Sequence, residues 1–211
     1  MMQTQKLSTF KATALHFSYP NQELFHNFSA SFTPGITLVR GGDGRGKTTL
    51  LRLLAGALAV QSGQLHINGA GLQEQPAHYK TQVFLTAPRS DAFDPLSVPD
   101  YFDTQRTKYA GFDDDVLADM TGGLGLQEHL HKQLFMLSTG TKRKVFLAAA
   151  FASHAPVTLL DEPFAALDAA SIEFILRWLK TAANVHTRVF IVADFAAPAD
   201  LLLSQTIDLG D

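Results

Sequence analysis

The stretch ITLVRGGDGRGKTTLLRLL, residues 36–54, constrains this chain more than any other part of it. A short apolar run feeds a loop with glycines at 41, 42, 44 and 46, and the loop opens directly into leucines at helical spacing. Strand, glycine loop and helix in that order form the building unit of an α/β sheet. Gly41, four further residues, Gly46, Lys47 and Thr48 satisfy the pattern G-x-x-x-x-G-K-[ST], in the strand-to-helix context that gives the pattern its meaning. Glycines let successive backbone N–H groups turn inward around a polyanion, and the helix that follows presents its unbonded amides and positive dipole end to the same oxygens. The expected phosphate cradle is Gly41, Gly42, Asp43, Gly44, Arg45, Gly46, Lys47, Thr48 and Thr49. Lys47 would neutralise the terminal phosphates, and Thr48 would offer its hydroxyl to Mg²⁺, a hard cation that prefers oxygen ligands.

The rest of the chain agrees with an α/β core carrying a mostly parallel sheet. Ahead of the loop, ATALHF and FSASF alternate in polarity around the turn-rich SYPNQ and predict an N-terminal antiparallel β region. Downstream, KRKVFLAAAFA reads as a helix and PVTLLD as a buried strand. SIEFILRWLK is a helix with Ile172, Ile175, Leu176 and Leu179 on one face, and RVFIVA is another strand. Residues 88–137 have a different texture, with proline and aspartate punctuation between short helical pieces, and predict a small helical subdomain inserted into one domain of 1–211. A formal charge of −3 and the lack of a long Lys/Arg run give no electrostatic footprint for nucleic acid. No cysteine is present, which removes disulfides and thiolate chemistry. The longest wholly apolar run, Val145 to Ala152, falls far short of the roughly 20 residues that span a bilayer. The reading is a cytoplasmic chain.

VTLLDEP, residues 157–163, ends an apolar strand in two adjacent carboxylates, at the sheet edge where α/β proteins bind ligands. Asp161 is the candidate for holding Mg²⁺ through water and Glu162 for polarising an attacking water. With LSTGT at Leu137 to Thr141 before this strand and ALD at Ala166 to Asp168 after it, the order and spacing of motifs resemble the nucleotide-binding subunits of ABC transporters. The resemblance spans nearly the whole chain and implies a P-loop NTPase core that binds ATP and Mg²⁺. It implies that Tyr19 stacks on adenine and that Lys47 and Glu162 serve in hydrolysis. It further implies that Ser138 and Gly140 open a helix toward the γ-phosphate bound by an opposite subunit, while Asp168 links the two sites. Two copies, identical or not, would sandwich two nucleotides and work with separate transmembrane subunits, which would hold the chain at the cytoplasmic face of the membrane.

The pattern also breaks. LSTGT keeps the Leu, Ser and second Gly of the family signature LSGGQ but has Thr139 and Thr141 at the other two positions. Asp194 stands where the family usually has a histidine against the γ-phosphate, and the usual glutamine after VFLT is replaced around Pro88 and Arg89. A carboxylate about 4 Å from a phosphate is repelled by about 4 kcal/mol per charge pair at an effective dielectric near 20, so Asp194 does not simply inherit the histidine's role. Capping of the segment that follows is the other expectation for Asp194. Slow hydrolysis is therefore expected. An ATP-binding regulatory module with little turnover and a soluble ABC-type protein without a membrane partner stand as the alternatives. The compact length resembles exporter-type ATPases.

Overall fold

The computed structural model describes residues 9–86, 91–184, 187–196, 198 and 201–210. Strands β1 (Phe10–Tyr19) and β2 (Gln22–Phe32) form a hairpin closed at Pro20 and Asn21, and β1 also pairs antiparallel with β4 (Ser62–Ile67), which pairs with the short β5 (Ala70–Gly71). The order in this antiparallel sheet is β2-β1-β4-β5. The turn-rich SYPNQ is thus mostly strand, and only its proline and asparagine make the turn.

The second sheet is parallel, in the order β6-β7-β8-β3-β9, with β3 at Gly35–Arg40, β6 at Val83–Thr86, β7 at Val157–Asp161, β8 at Val189–Ala193 and β9 at Gln205–Asp208. Every residue of β7 and β8 is buried, as parallel strands covered on both faces require. Helix α1 (Lys47–Leu54) follows β3, and the short α2 (Pro76–Thr81) precedes β6. Leu50, Leu51, Leu53 and Leu54 of α1 are fully buried against one face in a cluster with Phe10, Phe32, Leu159 and Ile191. The other face carries α5 (Thr139–Ala152) and α6 (Ala169–Asn184), whose Val145, Phe146, Ile175 and Leu179 join Ile36, Leu160, Phe190 and Val192. Ile175 and Leu179 are buried as the helical pattern predicts, while Ile172 and Leu176 sit half-buried at the margins of that stripe.

Between β6 and α5 the chain runs through α3 (Val98–Lys108) and α4 (Asp114–Gly123) and then two single 3₁₀ turns. Ser97 caps α3 through the Asp100 amide, and Asp113 caps α4 through the amides of Asp115 and Val116. Tyr101, Phe102, Leu117 and Met120 pack these helices onto α5 in the same apolar cluster that reaches the parallel sheet. At the far end of α5, the half-buried Arg188 donates to the carbonyls of Ala150 and Phe151 in its last turn and of Ala155 just beyond, a cation answering the free carbonyls of a helix C-terminus. Among the described residues no helix is long and apolar enough to cross a membrane.

Candidate functional site

The loop between β3 and α1 closes over the first turn of the helix. Gly44 and Gly46 have φ of 75° and 91°, left-handed values that favour glycine. Gly46 is also tightly surrounded, since a Cβ there would lie 3.2 Å from Phe25 Cζ and 3.3 Å from Leu24 Cδ1. The β1–β2 hairpin is thereby seated on the loop. Gly46 is the N-cap of α1 and has no side chain to bond the free amides, and the first turn carries no acidic residue. The positive end of the helix is left to whatever anion enters. Lys47 is buried, and its ammonium donates to Gly41 O at 2.6 Å and Gly42 O at 2.9 Å. Two carbonyls hold the ammonium over the loop without neutralising its charge.

The acidic strand end meets this cradle from the side. Thr48 Oγ1 donates to Asp161 Oδ2 at 2.9 Å and lies 3.2 Å from Oδ1. Asp161 is itself buried, and its amide donates to Thr86 Oγ1 at 3.1 Å, while that hydroxyl lies 3.3 Å from Leu159 O. Thr86 thus fastens the end of β7 to β6; nothing in the local sequence distinguishes it from an ordinary strand threonine. Glu162 follows in a left-handed conformation, φ 46°, with its amide donating to Ala193 O at 2.9 Å. A non-glycine residue held there is strained, and such strain collects at functional sites.

A cleft of about 410 Å³ lies over the cradle, lined by Tyr19, Gln22, Leu24, residues 43–49 and Glu162. Tyr19 is partly exposed at 41%, its ring edge-on to Phe17 and its hydroxyl 3.3 Å from Thr49 Oγ1. Gln22 and Leu24 are lining residues that the motif reading did not include; they arrive because they follow Tyr19 around the hairpin.

Asp194 leaves the end of β8, its amide donating to Val39 O at 3.1 Å and its Oδ1 accepting from Phe195 N at 2.7 Å. Burial raises its pKa above the ordinary carboxylate value. The bond from the Phe195 amide opposes this, Glu162 adds to the rise, and Lys47 and Arg143 counter it. Asp194 therefore feels both the cradle lysine and the acidic strand end.

Ser138, Gly140 and Asp168 are not among the residues lining the cleft. Ser138 caps α5, accepting from Thr141 N at 3.1 Å. A Cβ on Gly140 would lie 2.4 Å from Ala166 O, so this helix start packs directly on the segment that follows the acidic strand. Arg143 donates to Ala165 O in the same segment. Asp168 accepts from Lys144 Nζ at 2.7 Å, Ser171 N at 2.8 Å and Ser171 Oγ at 2.9 Å, and these bonds hold its carboxyl well below the usual carboxylate range. The positions around Pro88 and Arg89 lie outside the described residues.

A helix N-terminus with no side-chain cap, a carbonyl-held lysine and a hydroxyl–carboxylate pair on the same sheet edge fit a magnesium-bound triphosphate. Residues 25–165 match the family model described as ABC transporter. The chain belongs to the ABC transporter family. This ABC-type ATP-binding subunit is similar to the cytochrome c biogenesis ATP-binding export protein CcmA of Nitrosomonas europaea, 33% identical over 155 residues covering 72% of each chain. It is similar as well to CcmA of Wolbachia pipientis wMel, 30% identical over 194 residues and 90% of each chain. The manganese transport system ATP-binding protein MntA of Synechocystis is 29% identical over 208 residues, 90% of this chain and 79% of that one. Among solved structures, the subunit resembles a putative ABC transporter ATP-binding protein from Pyrococcus furiosus, with a TM-score of 0.75, 21% identity, and 95% and 97% of the two chains covered. That likeness speaks to the fold, which is the α/β P-loop architecture of ABC ATPases.

Proposed function

We propose that this subunit binds MgATP at the head of α1, pairs with a second ATP-binding subunit around two nucleotides, and hydrolyses ATP slowly to energise a membrane transporter. The observation that carries the reading is the convergence of Lys47, the Thr48–Asp161 pair and Glu162 on one cleft edge. In that site the amides of residues 44–49 and the Lys47 ammonium bind the phosphates, and Tyr19 lies at the cleft wall to take the adenine ring. Thr48 directly, and Asp161 through water, would hold Mg²⁺, which when bound neutralises charge on the β- and γ-phosphate oxygens. Glu162 is the base that orients and deprotonates the attacking water. Ser138 and Gly140 lie away from the cleft of their own chain, which supports a head-to-tail pair in which each α5 start faces the partner's γ-phosphate. The grip of Gly140 and Arg143 on residues 165–166 ties that helix to the segment bearing Glu162, so closure of the pair bears on the catalytic base.

The named relatives serve cytochrome c biogenesis export, manganese transport and, in Saccharophagus degradans, molybdenum import. They share the ATP-binding role and differ in cargo, which favours transmembrane subunits as the source of specificity and a peripheral place for this chain. Calorimetry with MgATP on wild type and Lys47→Ala tests the binding step, which the variant should lose. Glu162→Gln should abolish phosphate release yet retain ATP and shift the chain to a dimer on size exclusion; a monomeric, non-binding Glu162→Gln protein contradicts the proposal. Asp194 beside Glu162 favours one second reading, an ATP-dependent assembly module with almost no turnover. Tight MgATP binding with no measurable phosphate release in the presence of membrane partner would select it.

A further inference from the structure

A second cluster of ligating side chains lies on the outward face of the hairpin that carries Tyr19. On β1, Leu15 and Phe17 point into the core, so His16 and Ser18 point out. Ser18 pairs with Glu23, and residues directly opposite in an antiparallel pair share a face, so Glu23 points out as well. His26 is three residues further along β2, and in a regular strand that spacing would put it on the other face. The register shows why it is not: Phe17 pairs with Phe25 while Ser18 pairs with Glu23, which leaves Leu24 as an extra residue. This bulge turns Leu24 toward the nucleotide cleft and re-aims the strand so that His26 shares a face with Glu23. A second irregularity between Leu15 and Phe17 lies beside His16, and the His16 and His26 rings stand edge to face with centroids 5.5 Å apart.

The three side chains converge. Glu23 Oε1 lies 3.0 Å from His26 Nδ1 and 3.5 Å from His16 Nδ1, and the three ligand atoms are all within 4.8 Å of one another. Bonds of about 2.0–2.1 Å to a tetrahedral metal separate neighbouring ligand atoms by about 3.3 Å. Both glutamate–imidazole distances lie close to that edge, so small rotations of exposed side chains close the site. We propose that His16, Glu23 and His26 bind a divalent transition-metal ion of the zinc class, with solvent in the fourth position. Two imidazoles and one carboxylate are borderline donors, which select zinc-like ions over the hard magnesium of the nucleotide site. The side chains of Glu23 and His26 are 52% and 77% exposed, so an ion has open access from solvent.

The test is calorimetric titration of tag-free, nucleotide-free protein with zinc sulfate, paired with the visible absorption of the cobalt-substituted site. One zinc per chain is expected. Loss of an outer-shell partner alone weakens metal sites about 10- to 100-fold, so removing a ligand by His26→Asn or Glu23→Gln should weaken uptake by about 100-fold or more. Unchanged thermal melting of the metal-free variants shows that they are folded. In wild type, zinc should protect His16 and His26 from modification by diethyl pyrocarbonate, read by mass spectrometry. Absence of saturable zinc uptake overturns the proposal, as does uptake of unchanged strength in the His16→Asn/His26→Asn double variant.

Discussion

Thr48 and Asp161, 113 residues apart in the chain, are joined by a hydrogen bond of 2.9 Å from the hydroxyl to the carboxylate. The bond is possible because β3 and β7 lie in one parallel sheet on either side of β8, with their carboxyl ends on the same edge. A hydroxyl and a carboxylate placed so would together hold a Mg²⁺ ion on a bound nucleotide, the hydroxyl directly and the carboxylate through water.

Asp161→Asn should leave nucleotide binding without metal nearly intact and weaken the binding of magnesium. If Asp161 acts through water, its loss should raise the Mg²⁺ concentration for half-maximal phosphate release about 10- to 100-fold. Magnesium titrations of wild type and variant check this; an unchanged midpoint would separate Asp161 from the metal.

Gly44 and Gly46 both adopt left-handed conformations but differ in surroundings. A Cβ at Gly44 meets nothing within 4 Å, whereas one at Gly46 meets Phe25 and Leu24. Gly44→Ala should therefore cost only the conformational penalty, about 1–3 kcal/mol at most, in the folded loop. Gly46→Ala should cost more, because the Phe25 and Leu24 side chains of the hairpin must also give way by a few tenths of an ångström. Urea denaturation of the two variants ranks them, and MgATP calorimetry should show the larger loss of affinity for Gly46→Ala. The reverse order would mean that the hairpin is not seated on the loop.

The parts of the fold and site that could be read in the sequence are those with strong local chemistry. The β3–loop–α1 unit is legible because glycine, lysine and threonine at fixed offsets are demanded by anion binding, and β7 and β8 because strands buried on both faces must be continuously apolar. Less visible was β9, whose Gln-Thr-Ile-Asp runs half-exposed along the sheet edge and owes its strand to pairing with β3 rather than to its own pattern. Thr86 was silent for a similar reason: its bonds to the amide of Asp161 and the carbonyl of Leu159 exist only after β6 and β7 pair. The packing of Gly140 on Ala166 likewise depends on tertiary placement and leaves no mark in LSTGT beyond the glycine itself.

Asp168 fixes a pH dependence. Its carboxylate caps α6 through Ser171 and pairs with Lys144 of α5, and its pKa is depressed first by the Lys144 bond and then by the Ser171 bonds. A carboxyl depressed in the folded state contributes stability above its unfolded value, and that contribution drains away as pH falls below about 4. Asp168→Ala should lower the melting temperature at pH 7, and the gap from wild type should narrow as pH falls from 4 toward 2. A gap that stays constant over that range would show that the cap and ion pair do not stabilise the folded chain through this charge.

The last prediction concerns Asp194 and the rate of turnover. The carboxylate bonds the neighbouring Phe195 amide, and its pKa is raised by burial and by Glu162, so the residue is electrostatically tied to the proposed base. It offers no cationic or neutral donor at the end of β8, where the family resemblance expects an imidazole against the γ-phosphate. Negative charge there opposes the developing charge of phosphoryl transfer, whereas a positioned donor at such a place is worth about 10² to 10³ in rate. Asp194→His should therefore raise phosphate release at saturating MgATP, by up to about that factor if the imidazole takes the expected position. It should not weaken nucleotide binding, because Lys47 and the loop amides are the proposed source of affinity and the substitution removes a negative charge rather than a donor. Single-turnover phosphate release separates the chemical step from product release, and an unchanged or reduced single-turnover rate would show that Asp194 does not limit the chemical step.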